Sequence, residues 1–336
     1  MKKYSDYRPS PKVRMDALDQ GVIFRHGSGP AGCDAGGARE ASMVFHNETF
    51  HLFYDGMELN VGWLACLATS RDLQTWKHHG PVFQLGEAGR PDSHTATSPW
   101  FLHENDLWHA YYVGCQKTTP APDCIPYAPY VTCKAEAREL AGPWIKRYDV
   151  IPVTAEPGTY YGETASPGFV FRYQDRIWMF FSAAEGVICN SDVNVKRSLG
   201  LANASHPDGP WTVSEQPIVS MDEQIENSSL YFEPANNTWF LFTNHIGINE
   251  AGMEFTDAIW VYWSKDPTVW DPDQKAVVLD GENCTWAKEC IGMPSVVPVQ
   301  NRLALFYDAA PGSSISHMDR DIGLAWLPLP LHPPYL

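Results

Sequence analysis

Two glutamates, Glu163 and Glu226, stand in the same local frame: Glu-x-x-Ser followed by an apolar strand. Carboxyl groups brought together repel one another, and the repulsion raises the pKa of at least one of them. One can then donate a proton while another accepts one. Further polar groups sit just ahead of apolar strands: Asp34, Arg39 and Glu40 in CDAGGARE, Asp92 and His94 in PDSHTATSP, and Glu289 in KECIGMP. An acidic residue before a strand commonly serves a turn. That reading suits Asp92 and Glu289, although Asp92 and His94 stay candidates for ligand contact. Asp34 precedes Ala-Gly-Gly, where a ligand can approach backbone closely. Arg39 can clamp a hydroxyl-rich ligand or pair with Glu40.

These residues need elements to position them, and the chain names the elements five times. A short apolar strand, a tight polar turn and an aromatic-rich strand recur in MVFHNETFHLFYDG, PWFLHENDLWHAYYVG, GFVFRYQDRIWMFFSA, LYFEPANNTWFLFTN and SVVPVQNRLALFYDA. Aligned on the last aromatic, the column reads Tyr54, Tyr112, Phe181, Phe242 and Tyr307. In four units a third strand ends at a Trp: Trp76, Trp144, Trp211 and Trp270. Repeated strand units must stack on their neighbours to bury their faces. Units of this kind match the blades of a propeller. The sequence therefore predicts an all-β fold, a single five-bladed β-propeller over 1–336 with blades starting near 34, 94, 162, 226 and 288. A β-sandwich would explain alternating strands but not five copies of one phrase. In a propeller the first strand of each blade lines the central channel, so the residues ahead of it converge on one mouth.

A formal net charge of −16 disfavours phosphate backbones and anionic lipid as partners, and the bland alternative is that it serves solubility. No stretch approaches the ~18 apolar residues that span a bilayer. The first residues have lysines but no apolar run, which predicts a cytoplasmic protein or a secreted or periplasmic one whose leader was removed. Eight Cys leave disulfides open within Cys115, Cys124 and Cys133 or between Cys284 and Cys290. Free buried thiols are the favoured reading, and no CxxC pair suggests zinc.

The phrases HLFYDG and TSRDLQTW and the two GPW turns at 142–144 and 209–211 resemble the five-bladed propeller glycosidases, glycoside hydrolase family 43 and its relatives in families 32, 62, 68, 117 and 130. The resemblance runs through all five units, and its motifs bear on the fold more than on catalysis. It implies cleavage of a glycosidic bond in a plant or algal oligosaccharide, with inversion. Glu226, with Leu230, matches the family's general acid. Asp34 or Glu40 would activate water, and Glu163 would tune the acid and bind sugar hydroxyls. The family's third-blade Asp-Pro is Ser166-Pro167 here, three residues beyond Glu163. Trp100 or Tyr161 could stack on sugar rings or pack in the core. His317 and Arg320 are possible pocket residues, and the family's use of a fifth-blade His near calcium leaves a structural calcium ion open. No cofactor is otherwise required. Two alternatives stand beside hydrolysis: a phosphorylase of the family 130 type, with Arg39, Arg320 and His94 holding phosphate, and a non-catalytic carbohydrate-binding propeller.

Overall fold

The computed structural model describes residues 3–4, 7–186 and 195–334. Nearly all regular structure is β, and the chain runs as five antiparallel meanders that we call blades. The first three strands of blade 1 are Ala38–His46, Thr49–Glu58 and Gly62–Ser70. Those of blade 2 are Thr95–Glu104, Leu107–Cys115 and Val131–Ala137. Blade 3 has Thr164–Tyr173, Arg176–Glu185 and Lys196–Ala204. Blade 4 has Ile225–Glu233, Thr238–Ile248 and Glu254–Ser264. Blade 5 has Ile291–Val299, Arg302–Ala309 and Asp321–Pro328. The five first strands touch in cyclic order, and the first strand of blade 5 packs on that of blade 1. The chain thus closes into a β-propeller.

Its closure uses the N-terminal segment. The repeat in blade 5 stops after three strands, and Leu18–Phe24 pairs antiparallel with Asp321–Pro328 as the missing outer strand. Val13–Arg14 adds in parallel to the outer strand of blade 4, Lys275–Leu279. Both ends of the repeat are therefore tied together, and sheet edges that would otherwise be left open are covered. The core lies between blades. Phe24, Tyr54 and Leu52 pack with Phe306 and Leu324 between blades 1 and 5, for example.

The strand pairing supplies a common frame. Seven residues before the end of each inner strand stand Arg39, Thr97, Ser166, Glu226 and Gly292. Opposite them on the second strands are Asp55, Val113, Ser182, Asn244 and Asp308. One residue earlier on the second strand the column is Tyr54, Tyr112, Phe181, Thr243 and Tyr307. Phe242 sits one place out of that column, and the hairpin of blade 4 is two residues longer than the others (Glu233 pairs Thr238).

Each inner strand then bulges. The residue after the first column is Glu40, Ser98, Asn227 or Met293 in four blades, with φ of +57°, +49°, +56° and +46°. Non-glycine residues rarely adopt this conformation, and they persist where the surroundings hold them. The holding group comes from the preceding blade. The amide of Glu40 donates to Asp308 (2.6 Å), that of Ser98 to Asp55 (2.6 Å), that of Asn227 to Ser182 Oγ (2.8 Å) and that of Met293 to Asn244 Oδ1 (3.3 Å). Blade 3 has Pro167 at this position. Proline has no N–H and a fixed negative φ. Its bulge moves one residue onward, and the position on blade 2 that would accept is the apolar Val113. The ring of latches is thus complete wherever there is a proton to accept.

All seven described cysteines are free and buried. Cys189 lies outside the described residues.

Candidate active site

The bulges and latches surround a central cavity of about 160 Å³. Its wall carries Arg39 and Glu40 from blade 1, Ser98 from blade 2, Ser166 and Arg197 from blade 3, Glu226 and Asn227 from blade 4, and His317 from the last loop of blade 5. A bulge redirects a side chain that a regular strand would send elsewhere. Here it lets successive residues, Arg39 with Glu40 and Glu226 with Asn227, line the same space.

The carboxyl groups in and beside this cavity have different surroundings. Asp55 and Asp308 are almost fully buried and serve as latches; Asp55 also accepts from Ser98 Oγ (2.7 Å), and Asp308 from Arg320 (3.0 Å). Burial raises Asp55 to about 6 against the pull of Arg39 and the Ser98 hydrogen bonds. Glu226 faces Arg197 Nη1 at 3.1 Å and Asn244 Nδ2 at 3.4 Å, while Arg197 also holds Glu254 (2.7 Å). Glu40 has no such ion pair among the described residues. Burial, opposed by Arg39 and reinforced by the negative charges of Asp55, Asp308 and Glu226, pushes its carboxyl up to about 8. Its Oε2 is 3.4 Å from Ser98 Oγ, whose single proton lies toward Asp55. The hydroxyl lone pairs are then available to a protonated Glu40. At neutral pH one carboxyl of the cavity, Glu40, keeps its proton, and another, Glu226, is matched to a cation.

His317 is held well below the usual imidazole range by burial and by the charges of Arg320, Arg39 and Arg197. It is therefore neutral. Arg39 Nη1 donates to its Nδ1 at 3.0 Å, which leaves the ring proton on Nε2. Three arginines around this ring do not suit calcium, which takes oxygen ligands. Among the described residues no cluster of three or more His, Cys, Asp or Glu has metal-binding geometry.

No protein-family model and no curated protein sequence matches the chain. Solved structures do. A glycoside hydrolase superposes with a TM-score of 0.71 at 13% identity, covering 95% of this chain and 96% of the other. The fold is that of the propeller glycoside hydrolases. A family 117 glycoside hydrolase from Zobellia galactanivorans matches with a TM-score of 0.65 at 14% identity over 95% of this chain and 93% of its own. The alpha-L-arabinofuranosidase of Podospora anserina, solved with cellotriose, gives 0.64 at 12% identity over 94% and 98%. At such identities the likeness is one of fold.

Within this glycoside hydrolase fold, Arg39, Glu40, Glu226 and His317 meet at the cavity, and the other residues singled out in the sequence do not line it. Asp34 is fully buried beneath blade 1. It accepts from the amides of Gly27 (3.1 Å) and Gly29 (2.8 Å) and from Tyr54 OH (3.1 Å). Asp92 repeats this role in blade 2, accepting from Tyr112 OH (2.8 Å) and Lys146. In blade 5 the same tyrosine, Tyr307, donates instead to Asp19 of the N-terminal strand (2.6 Å). Blades 1 and 2 thus use a Tyr–Asp pair to tie the segment ahead of the first strand to the sheet, and in blade 5 the pair ties the N-terminal strand to it. Glu163 borders a separate surface depression with Pro157, Thr159 and Glu185. Its frame match with Glu226 is one of sequence only: the pairing aligns Glu226 with Ser166. His94 is exposed and bonds Ser93. Trp100 and Tyr161 pack in the core between blades 2 and 3, and Tyr161 OH donates to Glu156 (2.9 Å). Arg320 lies behind the wall, on Asp308 and the Ser316 carbonyl. Glu289 borders a cleft between blade 4 and the N-terminal segment.

The sequence reading passed over Asp55, Asp308, Arg197, Ser98 and Asn227. A signal for most of them was present. Ser98 and Asn227 follow the residue seven before the end of their inner strands, and Asp55 and Asp308 directly follow the aligned tyrosines Tyr54 and Tyr307. Arg197 had no such signal, because it enters from a third strand.

Proposed function

We propose that the protein is a glycosidase that hydrolyses a glycosidic bond in an oligosaccharide, with Glu40 and Glu226 as its paired carboxyl groups. The observation that carries this reading is that the two carboxyl groups share one cavity wall in different surroundings: Glu226 pairs with Arg197, and Glu40 has no ion pair among the described residues. Asp55 and Asp308 are occupied as structural acceptors, so they are poor candidates for proton exchange. Glu40 holds a proton at neutral pH with no basic partner to remove it, as a general acid requires. Glu226, anchored by Arg197 and Asn244, is the partner that can orient and deprotonate a water. This division reverses the one implied by the family resemblance, in which Glu226 is the acid. The neutral Nε2–H of His317 and the hydroxyl and amide groups of Ser98 and Asn227 suit sugar hydroxyls.

Inversion is part of the proposal: Glu226 acts on water in a single displacement while Glu40 protonates the leaving oxygen. A cavity of about 160 Å³ is small beside the ~300–1,000 Å³ common for larger ligands, which favours one terminal sugar unit and exo action. The test is hydrolysis of an aryl-glycoside panel (arabinofuranoside, xyloside, galactoside, fructoside-type) with NMR of the first-formed anomer. Loss of a positioned acid or base costs on the order of 10²–10⁴ in rate. Glu40→Gln and Glu226→Gln should each fall in that range while remaining folded. Full activity in either variant removes that residue from the mechanism.

A further inference from the structure

Arg39 is an uncommon residue in this molecule. It is 7% exposed, and among the described residues its Nε has no hydrogen-bond acceptor. Its guanidinium carbon lies over the Trp63 ring, 3.9 Å from the centroid, and Nη1 is committed to the neutral His317 ring. The two neighbouring arginines are neutralised, Arg197 by Glu226 and Glu254 and Arg320 by Asp308. Arg39 forms no ion pair among the described residues. A buried cation without a hydrogen-bonded anion is costly, and buried charges are ordinarily paired. Arg39 lines the cavity as a cation without a paired anion, and a planar fork fits a carboxylate in two-pronged fashion.

Resting on the glycosidase reading above, we propose that Arg39 receives a carboxylate carried by the sugar in the cavity, so that the substrate is an acidic oligosaccharide ending in a uronosyl unit. The Trp63 ring and the bond to His317 fix the fork before the ligand arrives, which lowers the ordering cost of binding. The carboxylate also affects Glu40. Arg39 is the group that pulls the Glu40 proton away most strongly, and a bound carboxylate offsets that pull. An acidic substrate thus favours the protonated acid that cleavage needs, and a neutral sugar does not.

The experiment is calorimetric titration of the full-length protein with D-galacturonate, D-galactose, D-glucuronate, D-glucose and inorganic phosphate. A charge-assisted hydrogen bond to a buried group corresponds to about tenfold or more in affinity. At least one uronate should bind that much more tightly than its neutral parent. In Arg39→Met the ratio should collapse to about one; in Arg39→Lys, which keeps charge but loses the fork, it should be intermediate. Equal binding of uronate and parent by the wild-type protein overturns the proposal, as does a ratio that survives Arg39→Met. Arg39-dependent binding of phosphate without uronate preference also overturns it and assigns the site to phosphate, the co-substrate of a phosphorolytic reaction. These ratios need no turnover. Failure of the carboxylate site is therefore distinct from failure of the glycosidase reading, which rests on the glutamate variants.

Discussion

Replacing Glu40 by glutamine should alter the pH dependence of stability in a direction fixed by the structure. The carboxyl moves from an ordinary 4.5 to about 8 in the folded protein. Between those values the folded chain keeps a proton that the unfolded chain releases, so stability falls as pH rises. The favourable contribution is complete below about 4.5 and lost once pH passes about 8. At ~1.4 kcal/mol per pH unit the loss is on the order of 5 kcal/mol, a large share of a typical folding free energy. Glutamine resembles the protonated acid and does not titrate. Glu40→Gln should therefore be close to the wild type in stability at pH 5 and more stable than it at pH 9, by several kcal/mol. Asp55, raised to about 6, acts with the same sign at lower pH, but it is present in both proteins and largely cancels. Urea unfolding of both proteins at pH 5, 7 and 9 measures the effect. A constant offset at all three values would mean that Glu40 ionises normally, and the assignment of the acid would fall with it. Wild-type activity should decline as pH rises through about 8, as Glu40 loses its proton.

Two other predictions concern the scaffold. Val113→Asp places a carboxylate opposite Pro167, which has no N–H to give, and should destabilise the protein by about 2–3 kcal/mol in urea unfolding. Adding Pro167→Ser should recover part of that loss because it restores an amide, and simple additivity of the two changes would refute the latch interpretation. Asp34→Asn should lower stability by about 1–3 kcal/mol through the Tyr54, Gly27 and Gly29 hydrogen bonds while leaving kcat per folded molecule within about twofold. A drop of a hundredfold or more in kcat would return Asp34 to the catalytic machinery.

The sequence carried much of the architecture. Five strand-turn-strand phrases with tyrosines, phenylalanines and tryptophans in register require repeated sheets, because each phrase has an apolar face that only a neighbour can bury. The blade 5 phrase lacked an outer strand, and nothing local to it indicated that Leu18–Phe24, almost three hundred residues earlier, would fill the gap. The same difference separates Glu226 from Glu163. Each is a glutamate three residues before a serine, but hairpin register places Glu226 beside Asn244 in the channel and Glu163 ahead of its strand, at the outer depression.

By itself the sequence determined the period, the strand identities and the chemical type of the groups near the mouth, since alternation and turn chemistry are short-range properties. Tertiary structure alone decided which of those groups share a space and in what charge state. Asp34 and Asp92, prominent in the sequence, became tyrosine-bound anchors. Asp55 and Asp308 became acceptors for the next blade. Arg197 arrived from a third strand to meet Glu226, and Glu40 was left half-buried among carboxylates with its proton retained. A proton's position depends on desolvation and on every charge within several ångströms, and those neighbours come from blades up to about 270 residues apart in the chain.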